Sequence, residues 1–406
     1  MLEFSDYFVD FNTGFLINQN QKTELSSYYD PWINIQVNLG SLMETNNLRE
    51  YIDKMPVLSI ELLTSFEQNF YCHSILAFAT SAYVWSKQQA EIPKILPKSL
   101  SVPLRKLSDK LGLMPILCHS DMVLFNTYVD FTKSVSDKDL LVIKNSMNKN
   151  INWNIFQRET ARIEFCFSPI IRAIYNLYDC IINEKTEEVI SNLKVISLTL
   201  TSMRESMKNF NEMNPDYFHR EMRPFLLGWG GDGYAHQGGL LYENEDGSAT
   251  EIECIGGSAA QSPTSQVLDT LFKIQHSAKS QKFFDSMKLY MIKEHRNFIR
   301  DVDTFIDLEA FIRKYSKDQL LIEAHNECIN AISIYRTNHM QVVTKYLIIL
   351  YENIKKKFRF IINPSKKMVK EEINSEFLQD RGTGGQDLLK FLKEARDDTK
   401  DKIFLI

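Results

Sequence analysis

Cysteine is scarce and scattered in this sequence, with six residues in 406 and no C-x-x-C pair. This spacing argues against a structural zinc site or a disulfide framework and is typical of a reduced compartment. The first residues lack the basic and apolar regions of a signal peptide, and no uncharged apolar run approaches the ~18–20 residues of a membrane span. We therefore expect a cytoplasmic protein that is not membrane-embedded.

The sequence also lacks any excess of positive charge. Its formal net charge is -5 and its pI is near 6.0, which predicts no general attraction to nucleic acid or to an anionic membrane. A local basic run at 355–359, followed by Lys366 and Lys367, is typical of a solvated helix end with the loop beyond it. We expect no nucleic-acid partner.

Several common catalytic motifs are missing. There is no H-E-x-x-H, no P-loop and no G-x-S-x-G. These absences leave zinc hydrolysis, NTP hydrolysis and α/β-hydrolase chemistry without support. The segment 228–233 matches G-x-G-x-x-G, but more glycines and a predicted hairpin follow it instead of a helix, so it predicts a glycine-rich loop and not a dinucleotide site.

Helical periodicity dominates what is present, and it predicts a mainly α fold. From Trp153 onward it predicts helices at 154–182, 186–212, 265–300, 307–313 and 317–360. Strand-like alternation occurs only near 240–243 and 250–255, which predicts one short hairpin. At 406 residues the chain is long enough for two or three domains, and we predict a small N-terminal domain at 1–148 and a large helical domain at 149–406.

The first 126 residues give weaker patterns. Residues 1–40 predict irregular structure, and 41–85 predict helix, with Leu58, Ile60, Leu62, Leu63 and Phe66 at roughly helical spacing. Pro93, Pro97 and Pro103 predict a surface connection. An apolar helix is predicted at 115–125.

An imidazole leads an otherwise apolar helix face near the C-terminus. At a period of 3.6, that face carries His339, Val342, Val343, Tyr346, Leu347 and Leu350. Arg336 lies one turn earlier on the same face. A buried imidazole beside a cation would suit the proximal ligand of a haem, with the arginine near a propionate. A lone histidine on an apolar face is more often a satisfied core residue, so both interpretations stay open.

Three further stretches have both a functional and a structural interpretation. The small residues of 256–262 allow close backbone approach and carboxylate binding, or form a tight loop and helix N-cap. Arg223, among aromatic residues, suits either a carboxylate beside an apolar pocket or an ordinary ion pair. The glycines of 382–385 suit a mobile lid or a linker before a last helix at 388–395.

Together these stretches resemble the indoleamine 2,3-dioxygenase family. The matching segments, in order, are Arg223 with Gly228-Trp229, the run 256–262, 287–298 with His295-Arg-Asn-Phe298, Arg336-x-x-His339-x-Gln-x-Val-Thr-Lys-Tyr346, and Gly382-Thr-Gly-Gly385. Similarity is plain from about Leu104 to the end and loose before it. Five motifs in one order are far more specific than any single one.

The resemblance implies a helical protein that encloses a haem b with ferrous iron between a small and a large domain. His339 is implied as the proximal iron ligand. Arg336 and Asp269 are implied as an ion pair close to a propionate, and Ser258 and Ala259 as backbone near the haem. A ferrous iron held by one neutral imidazole keeps its opposite face free for O2.

The resemblance also implies a tryptophan-binding pocket. Phe218 and Arg223 are implied as substrate contacts, with the aromatic ring beside the indole and the arginine on the carboxylate. Phe156 and Val123 are implied as pocket wall, and Thr383 belongs to the glycine loop that resembles one closing over the substrate. The implied reaction inserts O2 across the indole C2–C3 bond of L-tryptophan to give N-formyl-L-kynurenine, which begins the kynurenine pathway. A reductant for the haem and a monomeric state are also implied.

Three positions depart from the vertebrate pattern. His119 stands where those enzymes have a pocket tyrosine, Thr160 where they have a distal serine, and His219 where a second phenylalanine follows the first. We expect His119 to make the pocket more polar and Thr160 to keep a hydroxyl there. His219 is expected to face a propionate or solvent. Two alternatives stay open: a dioxygenase for another indole derivative, and a haem-binding sensor with little turnover.

Overall fold

The computed structural model confirms the mainly α fold, with 66% of the chain in helices. It describes residues 4–17, 23–86, 92–230, 238–349 and 388–404. The helices, in chain order, are α1 Asp30–Glu44, α2 Leu48–Lys54, α3 Phe66–Trp85, α4 Lys98–Leu111, α5 Ile151–Cys166, α6 Ser168–Ile182, α7 Thr186–Ser206, α8 Pro215–Tyr217, α9 Pro263–Leu271, α10 Ala278–Lys288, α11 Lys293–Phe305, α12 Leu308–Lys314, α13 Gln319–Val343 and α14 Leu388–Lys400.

Short strands accompany the helices. They are β1 Ile95–Leu96, β2 Thr127–Val129, β3 Leu141–Ile143, β4 Leu240–Glu243 and β5 Ala249–Ile252. β4 and β5 form the predicted hairpin, and β1 adds to β4 in parallel. The antiparallel pair β2–β3 was not predicted, and its three-residue strands are too short to show alternation in the sequence.

The N-terminal part contains more regular structure than its sequence indicated. Helix α1 already begins at Asp30, so the expectation of irregular structure at 1–40 is wrong for residues 30–40. The segment 55–65 is not helical, although its leucines have helical spacing. Leu58, Ile60 and Leu63 are buried, but the chain that carries them is irregular. Helix α3 begins only at Phe66, where Ser65 caps it by accepting from the backbone N–H of Gln68 at 3.1 Å.

The proline-rich connection and the apolar helix after it also differ from expectation. Pro103 lies buried inside α4, whereas Pro93 and Pro97 precede that helix. Helix α4 ends at Leu111 and is capped by Gly112, whose left-handed φ of 70° is common at the C-terminus of a helix. The helical part of 115–125 is limited to a π-helical segment at Ser120–Leu124.

The long C-terminal helices surround α13. Helix α13 packs against α7 and α14, and α6 also packs against α7. Asp318 caps the start of α13 by accepting from the N–H of Leu321 at 3.2 Å. The helix continues as a π-helical segment, Thr344–Ile349, and the remainder of its predicted span, 350–360, lies outside the described residues.

The predicted helix 154–182 is two helices that meet at Phe167. Within the described residues, the stretch 151–182 is long and apolar enough to cross a membrane, yet half of its most apolar window is buried inside the fold. A core helix of a soluble protein passes the same test, and α5 and α6 both pack against α7. The buried residues form one connected hydrophobic cluster on both sides of residue 148, and the division there stays a prediction.

Candidate functional site

A deep cavity lies between α5, α13 and α14. It contains about 1480 Å³ of atom-free space, with solvent at its mouth included, and its wall is mostly apolar. A mostly apolar cavity with a few polar side chains is the usual setting of a small-molecule or cofactor site. The remaining walls come from the π-helical segments Ser120–Leu124, Phe218–Met222 and Thr344–Ile349 and from the loop at 257–262.

The α13 wall carries the predicted stripe. His339, Val342, Val343, Tyr346 and Leu347 all line the cavity, whereas Leu350 lies outside the described residues. Helical spacing places these side chains on one face, and that face borders the cavity. The stripe therefore forms the wall of a site.

The His339 imidazole is available as a ligand. It is partly exposed, and within the described part of the chain no group forms a hydrogen bond with it. Burial, and then the positive charge of Arg336, lower the pKa of this imidazole to about 4. The ring is therefore neutral at physiological pH, which is the form that coordinates a metal. Among the described residues, no cluster of three or more histidine, cysteine or carboxylate side chains could hold a bare metal ion. A single imidazole ligand instead suits a metal whose other ligands come from a cofactor, as in a haem.

Arg336 joins three helices at the edge of the cavity. Its Nη2 forms an ion pair with the Asp269 carboxylate of α9. Its Nη1 donates to the Ala395 carbonyl and to the Thr399 hydroxyl of α14, each at 2.6 Å. Arg336 and Ala395 both line the cavity, so this contact fixes α14 as one of its walls.

His276 extends this network and was missed in the sequence. Its Nε2 lies 3.1 Å from Asp269 Oδ2, and its Nδ1 lies 2.9 Å from Asp398 Oδ2 of α14. Burial opposes protonation, but the hydrogen bonds and charges of the two carboxylates outweigh it and raise the pKa of His276. No local pattern marks His276, because its partners are seven and 122 residues away.

The loop 256–262 forms a wall of small side chains. Gly257, Ser258 and Ala259 line the cavity, and the Ser258 hydroxyl accepts from the N–H of Ala260 at 3.2 Å as an N-cap. A Cβ at Gly257 would lie 3.0 Å from the Cε of Met122, which also lines the cavity. The loop thus acts both as a cap and as a surface to which a flat ligand can come close.

The preceding glycine, Gly256, allows close contact between two backbone segments and not, as predicted, close approach of a ligand. A Cβ on Gly256 would lie 2.2 Å from the Leu226 carbonyl oxygen, and one on Gly228 would lie 2.1 Å from the Cys254 carbonyl oxygen. Two backbone segments therefore cross in direct contact, and Trp229 and Cys254 exchange backbone hydrogen bonds beside the crossing. Gly228 and Gly256 therefore allow the two backbone segments to touch, and the glycine-rich segment that begins at Gly228 is part of this crossing.

Aromatic rings form one end of the cavity. The rings of Phe156 and Phe218 lie 5.5 Å apart, and Phe218 meets Tyr346 edge-on at 5.7 Å. Phe210 approaches Phe156 at 6.5 Å. These four residues all line the cavity and give it an apolar slot suited to a planar aromatic ligand.

A buried polar pair forms another part of the wall. His119 Nε2 lies 2.9 Å from Glu164 Oε1, and both residues line the cavity. The Glu164 carboxylate also accepts from the hydroxyls of Ser262 at 2.5 Å and Thr264 at 2.6 Å. Glu164 was missed in the sequence, where it is one carboxylate in an amphipathic helix without any distinguishing spacing.

Thr160 lies on the same face of α5, between Phe156 and Glu164. Its hydroxyl donates to the Phe156 carbonyl of its own helix at 2.7 Å. The hydroxyl expected in the pocket is therefore committed to the backbone one turn earlier. His119, directly before the segment Ser120–Leu124, and Val123, within it, complete this wall.

The structure thus brings most of the predicted site together. The residues that line the cavity are His119, Val123, Phe156, Thr160, Phe218, Ser258, Ala259, Arg336 and His339. Asp269 lies behind Arg336, and Arg223 is buried just after Phe218–Met222 without lining the cavity. Thr383 lies outside the described residues.

His219 differs from expectation. Its side chain is fully buried and does not line the cavity, so the expected exposure to solvent is wrong. Burial, and then the charges of Arg223 and Arg220, lower the pKa of His219 to about 4. It is therefore a neutral core residue behind the aromatic end of the site.

Comparison with known proteins adds an independent finding. The family model described as "Indoleamine 2,3-dioxygenase" matches residues 3–402. The human protein named indoleamine 2,3-dioxygenase 2 is 33% identical, over 99% of this chain and 96% of its own length. The indoleamine 2,3-dioxygenase of Saccharomyces cerevisiae is 28% identical over 97% of this chain and 92% of its own. A protein of Haliotis madaka named myoglobin is 31% identical over 98% of each chain.

Proposed function

The chain belongs to the indoleamine 2,3-dioxygenase family, and we propose that it is a haem-dependent dioxygenase that opens the indole ring of L-tryptophan with O2 to give N-formyl-L-kynurenine. The observation that carries the proposal is the neutral His339 imidazole on the wall of a large apolar cavity. Membership of the family supports an indole or tryptophan dioxygenase. The substrate and product are part of the proposal.

The residues of the cavity fit a haem b. His339 offers a neutral nitrogen ligand that no described group engages, and the wall around it is apolar. Arg336 supplies a cation at the cavity edge for an acidic group, held in place by Asp269. Ser258 and Ala259 offer a wall of small side chains that leaves room for a bulky ligand. We propose that these five residues hold the cofactor.

When bound with ferrous iron, the haem would supply the O2 chemistry, and the chain would supply orientation and exclusion of water. Phe156 and Phe218 would hold the indole by ring contacts, and Val123 would fill the wall beside them. Arg223 is proposed to bind the amino-acid carboxylate, because a guanidinium can make two parallel hydrogen bonds to it. Thr383 is proposed to belong to a loop that closes over the substrate.

Water exclusion follows from how the walls are built. Phe391, Leu392 and Ala395 of α14 close one side of the cavity, and Arg336 holds that helix in place through two hydrogen bonds. A closed apolar site strengthens the polar contacts inside it and holds the reactants in one orientation. We further propose a cytoplasmic monomer of two domains, 1–148 and 149–406, that requires a reductant to keep the iron ferrous and no nucleic acid or membrane.

A second candidate function has an observation in its favour. Relatives from two Haliotis species that are named myoglobin are 31% identical over 98% of this chain. The same cavity would then serve reversible binding of O2, or a sensor function, with little turnover. A dioxygenase for another indole derivative is the remaining alternative, since His119 alters the pocket wall.

One experiment separates these functions. The chain is loaded with haem and reduced, its absorbance spectrum is recorded, and formation of N-formylkynurenine is followed in the near ultraviolet after L-tryptophan and air are added. A five-coordinate ferrous spectrum and growth of product are expected. Stable O2 binding without product would favour the oxygen-binding function, and product from another indole alone would favour the second enzyme. Failure to take up haem would refute the proposal.

His339→Ala tests the ligand itself. We expect this variant to lose the five-coordinate ferrous spectrum and the activity while remaining folded. His325→Gln is the matched control, because His325 lies on the same helix α13, roughly 21 Å along its axis, and does not line the cavity. Unchanged haem binding in His339→Ala would contradict the assignment.

A further inference from the structure

Tyr346 lies where the helix that carries His339 reaches the aromatic end of the cavity. It belongs to the π-helical segment Thr344–Ile349 that continues α13, and both Tyr346 and His339 line the cavity. The Tyr346 side chain is only 3% exposed. Burial raises the pKa of its hydroxyl to about 12, so the hydroxyl keeps its proton at physiological pH and is available as a hydrogen-bond donor.

The Tyr346 hydroxyl contacts two main-chain carbonyls. It donates to the carbonyl oxygen of Phe210 and, at 3.1 Å, to that of Met213. Phe210 belongs to the 3-10 helix Met207–Glu212, and Met213 follows that helix in an extended conformation. One buried hydroxyl therefore fixes the point at which the chain leaves this helix, and without it these carbonyls would lose a donor.

A second contact from the same segment supports this attachment. Lys345 Nζ donates to Asn211 Oδ1 at 2.7 Å. The same ammonium lies 5.2 Å from the centroid of the Tyr346 ring, which is within cation–π distance. Lys345 and Tyr346 thus both hold the helix Met207–Glu212, the lysine at the exposed side and the tyrosine from the interior.

The backbone held in this way leads directly to Phe218. Asn214, which follows Met213, caps the short helix α8 with its side chain. The Asn214 carbonyl accepts from the N–H of Phe218 at 3.0 Å. The Phe218 ring in turn meets the Tyr346 ring edge-on at 5.7 Å. Tyr346 therefore restrains Phe218 in two ways, through the backbone that precedes it and through its ring.

We propose that Tyr346 is a positioning residue for the substrate, which holds Phe218 in the orientation in which that ring contacts the indole. Tyr346 acts through Phe218 and not by its own contact with the substrate. The inference rests on the proposed function, since it takes Phe218 as the ring beside the indole. It also connects α13, which carries His339, to the substrate slot through a single side chain.

Loss of the hydroxyl should appear as weaker substrate binding. Without it, Phe218 is less ordered in the free protein, and the substrate must order the ring when it binds. The net contribution of one intramolecular hydrogen bond corresponds to about a fivefold change in an equilibrium constant. The haem ligand is on α13 itself, before the π-helical segment, so binding of a small ligand to the iron should not change.

Tyr346→Phe removes the hydroxyl and keeps the ring. Binding of L-tryptophan to the haem-loaded chain is measured by calorimetry, and steady-state kinetics give KM and kcat. We expect Kd and KM for L-tryptophan to rise about fivefold and kcat to fall by less than about twofold. Cyanide, which binds ferric iron without using the aromatic slot, should bind this variant as tightly as it binds the unmodified chain.

Tyr29→Phe is the matched control. Tyr29 is also buried, its hydroxyl donates to the Ser59 carbonyl at 2.8 Å, and it does not line the cavity. Both variants should lose a similar amount of stability in urea, but only Tyr346→Phe should bind L-tryptophan more weakly. Equal weakening in the two variants would reflect a general loss of stability and would overturn the inference.

A double-mutant cycle identifies the residue through which Tyr346 acts. Phe218→Ala alone should weaken L-tryptophan binding. Adding Tyr346→Phe to Phe218→Ala should then cause no further loss, because no ring is left to be held. If the two losses added in full, Tyr346 would act independently of Phe218, and the inference would be overturned.

Lys345→Met covers the case in which Tyr346→Phe fails to fold. This variant removes the contact with Asn211 and leaves the hydroxyl in place. In that case L-tryptophan binding should weaken about twofold, and unchanged binding would overturn the inference.

The outcomes also separate this inference from the proposed function. Unchanged L-tryptophan binding in Tyr346→Phe, together with normal cleavage of L-tryptophan by the unmodified chain, would overturn the inference and leave the proposed function intact. Failure of the unmodified, haem-loaded chain to bind any indole would refute both.

Discussion

Arg336, three residues before the histidine that faces the cavity, forms a partly buried ion pair with Asp269 and so joins α13 to α9. Each side chain is only 13% exposed. The Arg336 guanidinium also donates to the Ala395 carbonyl of α14. This ion pair and hydrogen bond together connect α13, which carries His339, to α9 and to α14. The position of the α14 wall depends on this pair.

Asp269→Asn should therefore destabilise the protein and loosen the cavity. Removing one partner leaves the Arg336 charge buried and uncompensated, which costs about 3 kcal/mol. Urea unfolding gives the change in the free energy of unfolding, and the rate of haem transfer to an acceptor protein reports the loosened wall. Lys54→Ala, which breaks an exposed pair with Glu50, is the control and should change neither quantity measurably. An unchanged haem transfer rate in Asp269→Asn would contradict a role for the pair in closing the cavity.

The His276 contacts should make stability depend on pH. Because the two carboxylates raise the pKa of His276 above its usual 6.5, the folded state binds this proton more tightly than the unfolded state does. The contribution is complete below the unfolded pKa and is lost as the pH rises through the raised folded value. Urea unfolding at pH 6 and pH 9 should show this loss, and His276→Gln should reduce it. A difference of the same size in the variant would rule His276 out as its source.

The two adjacent glycines of the cavity loop should respond differently to alanine. Gly256→Ala places a Cβ 2.2 Å from the Leu226 carbonyl, where only backbone movement can relieve the clash, and should cost about 3 kcal/mol or prevent folding. Gly257→Ala meets the flexible end of Met122 at 3.0 Å and should fold while narrowing the cavity. Thermal unfolding and haem uptake distinguish the two. Equal stability of both variants would show that the backbone crossing is not tightly constrained.

Thr160 should contribute shape and donate no hydrogen bond to the ligand. Its hydroxyl already donates to the Phe156 carbonyl at 2.7 Å, so Thr160→Val, which keeps the volume, should change kcat/KM for L-tryptophan by less than about threefold. Thr160→Ala should lower it more, because it opens space beside the aromatic slot. Steady-state kinetics of the two variants make the comparison. A large loss in Thr160→Val alone would mean that the hydroxyl acts on the substrate or on O2.

The sequence by itself determined the class of the fold and much of one wall. The 3.6-residue period of α13 identified the face carrying His339, Val342 and Val343, because that pattern is local and helices express it directly. The ordered motifs identified the family. The limits of α1 and the loop at 55–65 were not predictable, since burial there comes from contacts with other helices and not from local spacing.

Only the tertiary structure decided which groups meet in the site. Glu164 and His119 are 45 residues apart, and Asp398 and His276 are 122 apart, so no periodicity could pair them. It also decided that the Thr160 hydroxyl is used by its own helix, and that Gly256 serves a crossing of two backbone segments. Local pattern reports which face of a helix is apolar; the protonation and orientation of a buried polar group depend on partners that only the folded chain brings within hydrogen-bond distance.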